Sequence, residues 1–359
     1  MKMDQKDPAL VYCQGAFNTP NGKTAHGLVR FTERYQVLAV IDEKYANQDA
    51  GEVLDGISRK IPVIGSLDEA LRNLQVRPTH FVIGIAPDGG RLSTGAREDV
   101  IDAIKHGLHI HAGLHDFLSG NRKMKQLAEE YGVELKDIRK PPDRKFLHFF
   151  SGKIEEVSAL KIAVLGTDSA VGKRTTAWKL VHALSDSGTR AEMVGTGQTA
   201  WLQGARYCIV MDSLVNDFVS GELEHAVWQA WDKERPEVIV VEGQGSLLNP
   251  AYPGGYEILA ATRPDIVILQ HAPFRSDYDG FPGYPIDPLP KQIAAIELIS
   301  GKPVAALTLN HENMSEAEVV HYLDFIGRTL GLPAYDVLMH GAAGLAETVK
   351  KYLKPPSHE

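Results

Sequence analysis

Residues 162–184 read IAVLGTDSAVGKRTTAWKLVHAL, an apolar run that leads through a Gly-rich turn into a segment with apolar residues at helical spacing. Gly172 allows backbone N–H groups to close around an anion, and the start of the following helix adds a partial positive charge. Lys173 can reach a phosphate oxygen from this position. The stretch therefore predicts a phosphate-binding loop, or P-loop, with a site for a polyphosphate group.

Two features of this loop depart from the common P-loop pattern G-x-x-x-x-G-K-[ST]. Five residues lie between Gly166 and Gly172, and Arg174 occupies the place of the hydroxyl residue that normally holds Mg²⁺. Thr175 or Thr176 offers a substitute hydroxyl, although each projects from the helix at a different angle. The pattern predicts phosphate binding but does not decide whether the protein hydrolyses ATP with Mg²⁺. The alternative, a strand-to-helix turn that binds no ligand, is disfavoured by the Gly-Lys dipeptide after the strand. The predicted cofactor-binding residues are Gly166, Thr167, Asp168, Ser169, Ala170, Val171, Gly172, Lys173, Arg174, Thr175 and Thr176.

The composition of the chain is that of an ordinary soluble globular protein, and its 359 residues fit two domains. A formal net charge of −8 argues against a nucleic-acid partner, because a general nucleic-acid-binding protein would present a basic face to the phosphates. Cys13 and Cys208 lie in apolar runs without metal-ligand spacing, so we expect buried thiols in a reducing compartment. Because no signal peptide or run of membrane-spanning length is present, we expect a cytoplasmic protein without a membrane partner.

Short β-branched runs alternate with helical patterns in the first part of the chain. YQVLAVID, IPVIG, HFVIGIA and LHIHAG are typical of strands, and SLDEALRNL and AREDVIDAIKHG of the helices between them. Such alternation predicts a mostly parallel, doubly wound sheet. Asp42 ends the second strand, where dinucleotide-binding folds often have a ribose-binding acid, but the first turn lacks the G-x-G-x-x-G fingerprint. We therefore interpret Asp42 as a polar strand-end residue, and residues 1–145 as a Rossmann-like α/β domain.

A second alternation follows the polar segment LKDIRKPPDRKF, whose paired prolines mark the predicted domain boundary. The predicted strands are KIAVLG, RAEMVG, RYCIVMD, EVIVVEG, DIVILQH, PVAALTLN and PAYDVLM. The predicted helices are GELEHAVWQAWD, LPKQIAAIELI, SEAEVVHYLDFIGRTL and AAGLAETVKKYL. The predicted fold class is therefore α/β with two doubly wound domains, the second being a P-loop NTPase-like parallel sheet over residues 146–359. The terminal KPPSHE is predicted to be disordered.

Polar residues follow several predicted strands of the second domain, at the carboxyl edge where open α/β sheets collect ligands. Asp212 follows RYCIVM, and Gln198 follows RAEMVG near the P-loop. Glu242 ends an apolar strand, at the position where P-loop proteins often place a carboxylate that organises a metal or a base. We predict Asp212 and Glu242 as site residues, with a loop or helix-cap partner as the alternative for Glu242.

A long segment rich in Pro and Gly follows His271, and such a loop is either functional or disordered. It contains Arg275, Tyr278 and Tyr284. Because a guanidinium can hold a carboxylate through two hydrogen bonds, these residues suit recognition of a small carboxylate. The alternative is a surface loop that packs on its own aromatic side chains.

The first domain contributes a polar cluster that includes Lys23 and His26, which we expect to face a cleft between the domains and to contact substrate. Four histidines, at positions 106, 109, 111 and 115, invite a metal hypothesis. We predict no metal site, because His109 and His111 alternate on a strand and no cysteine or acidic cluster completes a ligand set.

The motifs GTDSAVGK and VVEGQG resemble those of ATP-dependent ligases of the dethiobiotin-synthetase type, which have Thr where this chain has Arg174. A resemblance over nearly the whole chain is to the bacterial and archaeal family whose named member is D-glutamate N-acetyltransferase. It is carried by KTAHGLVRF, GLHDFLS, GTDSAVGKRTTA, GTGQTAWLQGARY, DSLVNDFVSGELEHAV, VEGQGSL and HAPFRSDYDGFPGYPI. This resemblance implies a Rossmann-like domain before a P-loop domain, acetyl-CoA as cofactor, an amino-acid amine as acceptor and a homo-oligomer.

On this hypothesis Lys173 and Arg174 anchor coenzyme A and Arg275 holds the substrate carboxylate. The base that deprotonates the attacking ammonium is Asp212 or Glu242, or else His271. Backbone N–H groups at residues 243–245 would stabilise the oxyanion. One alternative is an ATP-dependent ligase or kinase with ATP and Mg²⁺ as cofactors, and another is a nucleotide-binding regulatory protein without turnover.

Overall fold

The computed structural model describes residues 6–353, so the predicted disorder of KPPSHE lies outside the described residues. The chain divides into two compact units. The N-terminal unit extends to Pro142 and also includes Gln198–Ala205, while the C-terminal unit comprises Asp143–Gly197 and the chain from Arg206 onward. Each unit is built around its own parallel sheet.

The N-terminal unit contains a six-stranded sheet in the order β3-β2-β1-β4-β5-β6, and its strands pair in parallel. This is the strand order of the Rossmann fold. The strands are β1 Asp7–Tyr12, β2 Tyr35–Ile41, β3 Val63–Ile64, β4 His80–Ile83, β5 His109–Ala112 and β6 Leu135–Asp137. The helices are α1 Lys23–Arg30, α2 Ala50–Asp55, α3 Leu67–Asn73, α4 Thr94–Lys105 and α5 Arg122–Tyr131.

The carboxyl end of β2 shows what Asp42 does in this unit. Asp42 is completely buried; its Oδ2 accepts a hydrogen bond from the Phe17 N–H at 2.9 Å and its Oδ1 one from the Lys44 N–H at 2.8 Å. Both carboxylate oxygens therefore serve the polypeptide itself at the end of the strand. Cys13 nearby is buried as predicted, but Cys208 in the other unit is only half-buried.

The C-terminal unit contains a seven-stranded parallel sheet in the order β13-β12-β11-β7-β10-β8-β9. The strands are β7 Leu160–Gly166, β8 Ala191–Gly195, β9 Tyr207–Cys208, β10 Val238–Glu242, β11 Ile266–His271, β12 Val304–Leu309 and β13 Ala334–Tyr335. The helices are α6 Lys173–Asp186, α8 Asn216–Glu234, α9 Gly255–Thr262, α10 Leu289–Ser300, α11 Glu316–Leu330 and α12 Ala343–Lys350. The helix α7 Gln198–Gln203 follows β8 in sequence but belongs to the N-terminal unit. The predicted α/β class with two doubly wound domains is confirmed.

Two predicted strands are much shorter than their apolar runs. In RYCIVMD only Tyr207–Cys208 is a strand, because the chain then enters a one-turn 3₁₀ helix at Met211–Ser213. In PAYDVLM only Ala334–Tyr335 is a strand, because the buried Asp336 carboxylate accepts the N–H groups of Leu338 and Met339 and turns the chain. Side-chain and loop hydrogen bonds thus end both strands earlier than apolar composition predicts.

The segment 148–154 lies across α8, and two carboxylates of that helix bind its backbone. The His148 N–H donates to Glu222 at 2.7 Å, and the Ser151 N–H donates to Glu224 at 2.6 Å. Gly221 makes the approach possible, because a Cβ atom there would lie 2.0 Å from the His148 carbonyl oxygen. Glu222 and Glu224, which follow the same predicted strand as Asp212, therefore hold a chain segment.

Candidate functional site

The P-loop joins the end of β7 to the start of α6, and two of its residues have the positive φ angles that glycine adopts most easily. Gly172 has a φ of 105°, which L side chains rarely adopt, and Ala170 has a φ of 52° despite its side chain. A Cβ atom at Gly166 would lie 2.8 Å from Val171 and 2.9 Å from Lys173. The glycines at both ends of the loop are therefore needed for its curvature and for the close approach of the lysine stem.

Lys173 points into this loop. Its Nζ donates to the Asp168 carbonyl oxygen at 2.6 Å and to the Gly245 carbonyl oxygen at 2.8 Å. Burial lowers the pKa of Lys173 to about 8, because it outweighs the attraction of Asp168 and Glu242 for the ammonium charge. The ammonium is thus held between the P-loop and the loop after β10.

Glu242 ends β10 and is almost completely buried, as the sequence pattern indicates. Its Oε2 accepts the Thr196 N–H at 2.9 Å. Burial raises the pKa of Glu242, and the positive charge of Arg174, followed by the Thr196 N–H and Lys173, opposes that rise. Arg174 therefore acts electrostatically on the carboxylate that occupies the metal-organising position of other P-loop proteins.

The two threonines that could replace the missing P-loop hydroxyl differ in their surroundings. The buried Thr176 hydroxyl donates to Gln270 Oε1 at 2.5 Å, and the Thr308 hydroxyl donates to the same oxygen at 2.6 Å. Thr175 is half-buried. Thr176 thus supports the adjoining strands β11 and β12 through Gln270.

Asp168 connects the P-loop to two other loops at the same sheet edge. Its carboxylate is completely buried and accepts hydrogen bonds from Asn249 Nδ2 at 3.0 Å, Arg275 Nη1 at 2.9 Å and the Asp279 N–H at 2.9 Å. Arg275 also donates to Glu312 at 2.8 Å. Arg275, predicted to hold a substrate carboxylate, therefore lies beside the P-loop with two protein carboxylates as partners.

His271 ends β11 with both ring nitrogens near hydroxyl groups. Its Nδ1 lies 2.9 Å from the Thr167 hydroxyl, and its Nε2 lies 3.3 Å from the Tyr322 hydroxyl. Burial lowers the pKa of His271 to about 4, so the imidazole is neutral near pH 7. Asp212, the remaining catalytic candidate, is exposed on the 3₁₀ turn after β9.

The predicted tyrosines occupy different environments in the loop after β11. Tyr278 is buried, whereas the Tyr284 side chain is 59% exposed. The loop folds back on itself, because the Tyr278 N–H donates to the Tyr284 carbonyl oxygen at 3.0 Å and Asp277 and Pro285 form an antiparallel bridge. Tyr284 is thus accessible to a ligand, and Tyr278 helps to pack the base of the loop.

The three other predicted substrate-binding residues, Lys23, His26 and Gln198, belong to the N-terminal unit. Lys23 begins α1 and is exposed, and the Gln198 side chain packs against Gly113. The Nε2 atom of His26 is buried without a hydrogen bond to the described residues, and burial lowers the pKa of this imidazole to about 4. His26 therefore behaves as a neutral, packed side chain near pH 7.

Sequence reasoning missed four polar residues at the carboxyl edge of the C-terminal sheet. Asn249 and Glu312 hold Asp168 and Arg275, as described above. His311 Nδ1 lies 2.6 Å from Oδ2 of the completely buried Asp336. His311 and Glu312 follow the predicted strand PVAALTLN, so the strand-end rule applied to that strand would have found them.

In the part of the chain that the structure describes, no helix is both long and apolar enough to cross a membrane. The same residues contain no group of three His, Cys, Asp or Glu side chains placed to hold a metal ion.

The parallel sheet with its Gly-rich loop, buried lysine and following helix defines a P-loop α/β protein, preceded by a Rossmann-like unit. The chain belongs to the DUF1611 family. Residues 148–346 match the "Domain of unknown function (DUF1611_C) P-loop domain", and residues 43–141 match the "Domain of unknown function (DUF1611_N) Rossmann-like domain".

Relatives of the chain include two curated proteins named D-glutamate N-acetyltransferase. The protein from Tritonibacter scottomollicae is 28% identical over 75% of this chain and 80% of its own length. The protein from Pseudoalteromonas sp. is 29% identical over 73% of this chain and 78% of its own length. A crystal structure of a DUF1611 family protein from Anabaena variabilis has a TM-score of 0.88 and 28% identity, covering 96% of this chain and all of that one.

Proposed function

We propose that this protein is an N-acetyltransferase that moves the acetyl group of acetyl-CoA to the amine of a small amino acid, with D-glutamate as the acceptor. The names of the two curated relatives support the reaction and the acceptor. The P-loop supports a donor that carries phosphate groups, as coenzyme A does.

The observation that carries the proposal is the place of Arg174. In a Mg²⁺-dependent P-loop enzyme, a hydroxyl at this helix position and a carboxylate at the position of Glu242 hold the metal between them. Here a guanidinium charge acts on that carboxylate, and the Thr176 hydroxyl donates to Gln270. The loop therefore offers two cationic side chains, Lys173 and Arg174, to a diphosphate. Acetyl transfer breaks a thioester bond and leaves the phosphates intact, so such a loop only has to bind them.

The acceptor would place its carboxylate at Arg275. This guanidinium already holds the buried Asp168 through Nη1 and the half-exposed Glu312 through Nη2. The Glu312 side chain is 45% exposed, so an incoming carboxylate can displace it more readily than Asp168, which is completely buried. Glu312 would then act as the partner that leaves when an amino acid binds.

Mass spectrometry on the purified protein tests the proposal directly. D-glutamate is supplied with acetyl-CoA alone, or with Mg-ATP plus acetate or bicarbonate. We expect N-acetyl-D-glutamate from acetyl-CoA without ATP. The product should be lost in Lys173→Ala and retained in Lys302→Ala, a matched change at an exposed lysine. ADP release without any product from acetyl-CoA would instead identify an ATP-dependent ligase.

A second variant examines the loop itself. Arg174→Thr restores the hydroxyl of the common P-loop pattern and removes one cation. We expect the KM for acetyl-CoA to rise about tenfold, the effect of losing one charge-assisted contact to phosphate. A gain of Mg-ATP hydrolysis with unchanged use of acetyl-CoA would contradict the proposed role of Arg174.

A further inference from the structure

His311 and Asp336 form a pair that has the geometry of an oriented histidine base. The His311 Nδ1 atom lies 2.6 Å from Asp336 Oδ2, and the Asp336 carboxylate is completely buried. Its other oxygen accepts the N–H groups of Leu338 at 3.0 Å and Met339 at 2.9 Å. These bonds fix the carboxylate, so the imidazole donates the proton of Nδ1 to it and Nε2 carries the lone pair.

The imidazole of His311 is partly exposed to solvent. The side chain is 34% exposed, and Nε2 has no hydrogen bond to any of residues 6–353. His271 differs because its two nitrogens lie against Thr167 and Tyr322 inside the protein. Of these two histidines at the ends of neighbouring strands, His311 is the one that presents a lone pair to an incoming molecule.

His311 also lies at the same carboxyl edge of the sheet as the P-loop. It follows β12, which is two strands from β7 and the P-loop in the sheet order, a lateral separation of about 10 Å. Hydrogen bonds connect its neighbours to the intervening strand β11 and its loop: the Asn310 N–H donates to the His271 carbonyl oxygen at 2.8 Å, and Glu312 accepts from Arg275. Arg275 in turn donates to Asp168 of the P-loop. Coenzyme A carries its thioester on a long arm away from the pyrophosphate, so the reacting carbonyl belongs at some distance from the P-loop.

We propose that His311 is the general base of acetyl transfer, with Asp336 as the residue that positions it; this inference rests on the proposed function. The Nε2 atom takes one proton from the acceptor ammonium and releases it to water. The amine lone pair then forms the N–C bond to the thioester carbonyl, whose π electrons move to oxygen. When they return, the C–S bond breaks. The second amine proton passes through Nε2 to the departing thiolate, which yields an amide, coenzyme A thiol and one released proton.

Steady-state kinetics of His311→Ala tests this assignment, with His321→Ala on the exposed face of α11 as the matched control. We expect kcat to fall at least about 100-fold in His311→Ala, the usual contribution of a general base, with the KM for acetyl-CoA changed less than about threefold. Added imidazole should restore part of the rate. The control should keep the wild-type rate and show no response to imidazole.

The pH profile separates a base from a structural residue. A general base acts only in its unprotonated form, so the rate of the wild-type protein should fall at acidic pH. In His311→Gln, the part of this fall that is due to His311 should be absent. Asp336→Asn also disturbs the acceptor of two backbone N–H groups, so its rate does not separate positioning from folding. Nitrogen chemical shifts of His311 in the wild-type protein therefore provide the second measurement. They should report a protonated Nδ1 and an unprotonated Nε2.

The outcomes distinguish the two proposals. If the wild-type protein forms N-acetyl-D-glutamate but His311→Ala keeps more than about a fifth of its kcat, or imidazole restores nothing, the role of His311 is overturned and the proposed function stands. A proton found on Nε2 alone would also overturn it. If the wild-type protein forms no product from acetyl-CoA, the proposed function fails, and the role of His311 in acetyl transfer fails with it.

Discussion

The Arg275 guanidinium and the Asp168 carboxylate form an ion pair in which the acidic partner is completely buried. The Nη1 and Oδ2 atoms are 2.9 Å apart, and the two side chains are 15% and 0% exposed. Asn249 and the Asp279 N–H occupy further positions on the same carboxylate. One side chain of the P-loop therefore fixes the loops that follow β10 and β11.

Substituting Asp168→Asn preserves the size of this side chain but removes its charge and one of its acceptor positions. We expect the free energy of unfolding to fall by about 3 kcal/mol, because a partly buried guanidinium then keeps only Glu312 as a charged partner. Urea denaturation measures the change. Asp287→Asn is the control, since Asp287 pairs with Lys291 at the surface and its loss should have no measurable effect. Equal effects of the two substitutions would show that the buried pair has no special importance.

Substituting Gly221→Ala tests the contact between α8 and the segment 148–154. The new Cβ atom would lie 2.0 Å from a backbone oxygen, so the segment must move and lose bonds to Glu222 and Glu224. We expect a loss of at least about 2 kcal/mol in thermal or urea unfolding.

The matched change is Gly327→Ala in α11, where a Cβ atom meets nothing within 4 Å. Because alanine is the better helix former, this variant should be more stable by about 0.5–1 kcal/mol. Opposite signs for the two substitutions are the expected result. A stabilising effect of both would mean that the segment 148–154 does not lie against Gly221.

The lowered pKa of Lys173 predicts a pH dependence for the proposed binding of coenzyme A. Its pKa is about 8, so the side chain is an ammonium below that pH and increasingly neutral above it. The part of the affinity due to Lys173 should therefore be constant below about pH 8 and fall by up to tenfold for each pH unit above it. Calorimetric titration of the wild type and Lys173→Arg measures this, because arginine keeps its charge throughout the range. The ratio of the two affinities should change above pH 8; a constant ratio would mean that Lys173 has an ordinary pKa or does not meet the phosphates.

The half-buried His26, whose Nε2 atom is buried, predicts a loss of stability in acid. Its pKa is about 4 in the folded protein, below the ordinary value of 6.5. Between these pH values the unfolded chain binds more protons, so the free energy of unfolding falls as the pH falls from about 6.5 to about 4, by at most ~1.4 kcal/mol per pH unit. His26→Leu should remove this part of the acid sensitivity. Denaturation at pH 7, 5.5 and 4.5 measures it, with His321→Leu as an exposed control; identical acid sensitivity of His26→Leu and the wild type would contradict the lowered pKa.

Sequence pattern was sufficient for the fold class and for the long central strands, but β6 lies inside LKDIRKPPDRKF, which was predicted as the polar boundary segment. Long apolar runs such as residues 162–166 and 238–241 are buried on both faces of a parallel sheet, so composition determines their structure. Glu242 and His271 end β10 and β11 as the runs indicate, and both side chains stay buried there with hydrogen-bond partners. The P-loop could be located because a glycine with a positive φ, Gly172, directly precedes Lys173 at the start of the helix.

The partners of these residues could not be predicted in the same way. Asp168 and Arg275 are 107 positions apart, and His311 and Asp336 are 25 apart, so no local pattern connects them. Each pair forms because parallel strands bring distant loops to one edge of the sheet. The short strands β9 and β13 were overestimated for a related reason: hydrogen bonds in the following loops end them, and those bonds depend on the folded neighbourhood.

Because Gln198–Ala205 belongs to the N-terminal unit, the two units cannot be produced separately by cutting the chain at one point. Leu202, in α7, is completely buried in a cluster with Phe17, Leu28 and Tyr35 of that unit. A truncated product that stops at Pro142 would leave this cluster incomplete. On the ribosome, likewise, the first unit acquires its last helix only after β7 and β8 of the second have been made. The two units therefore cannot be exchanged between related proteins by a single junction near residue 142. Such a chimera would take Leu202 from one protein and the residues that it packs against from the other.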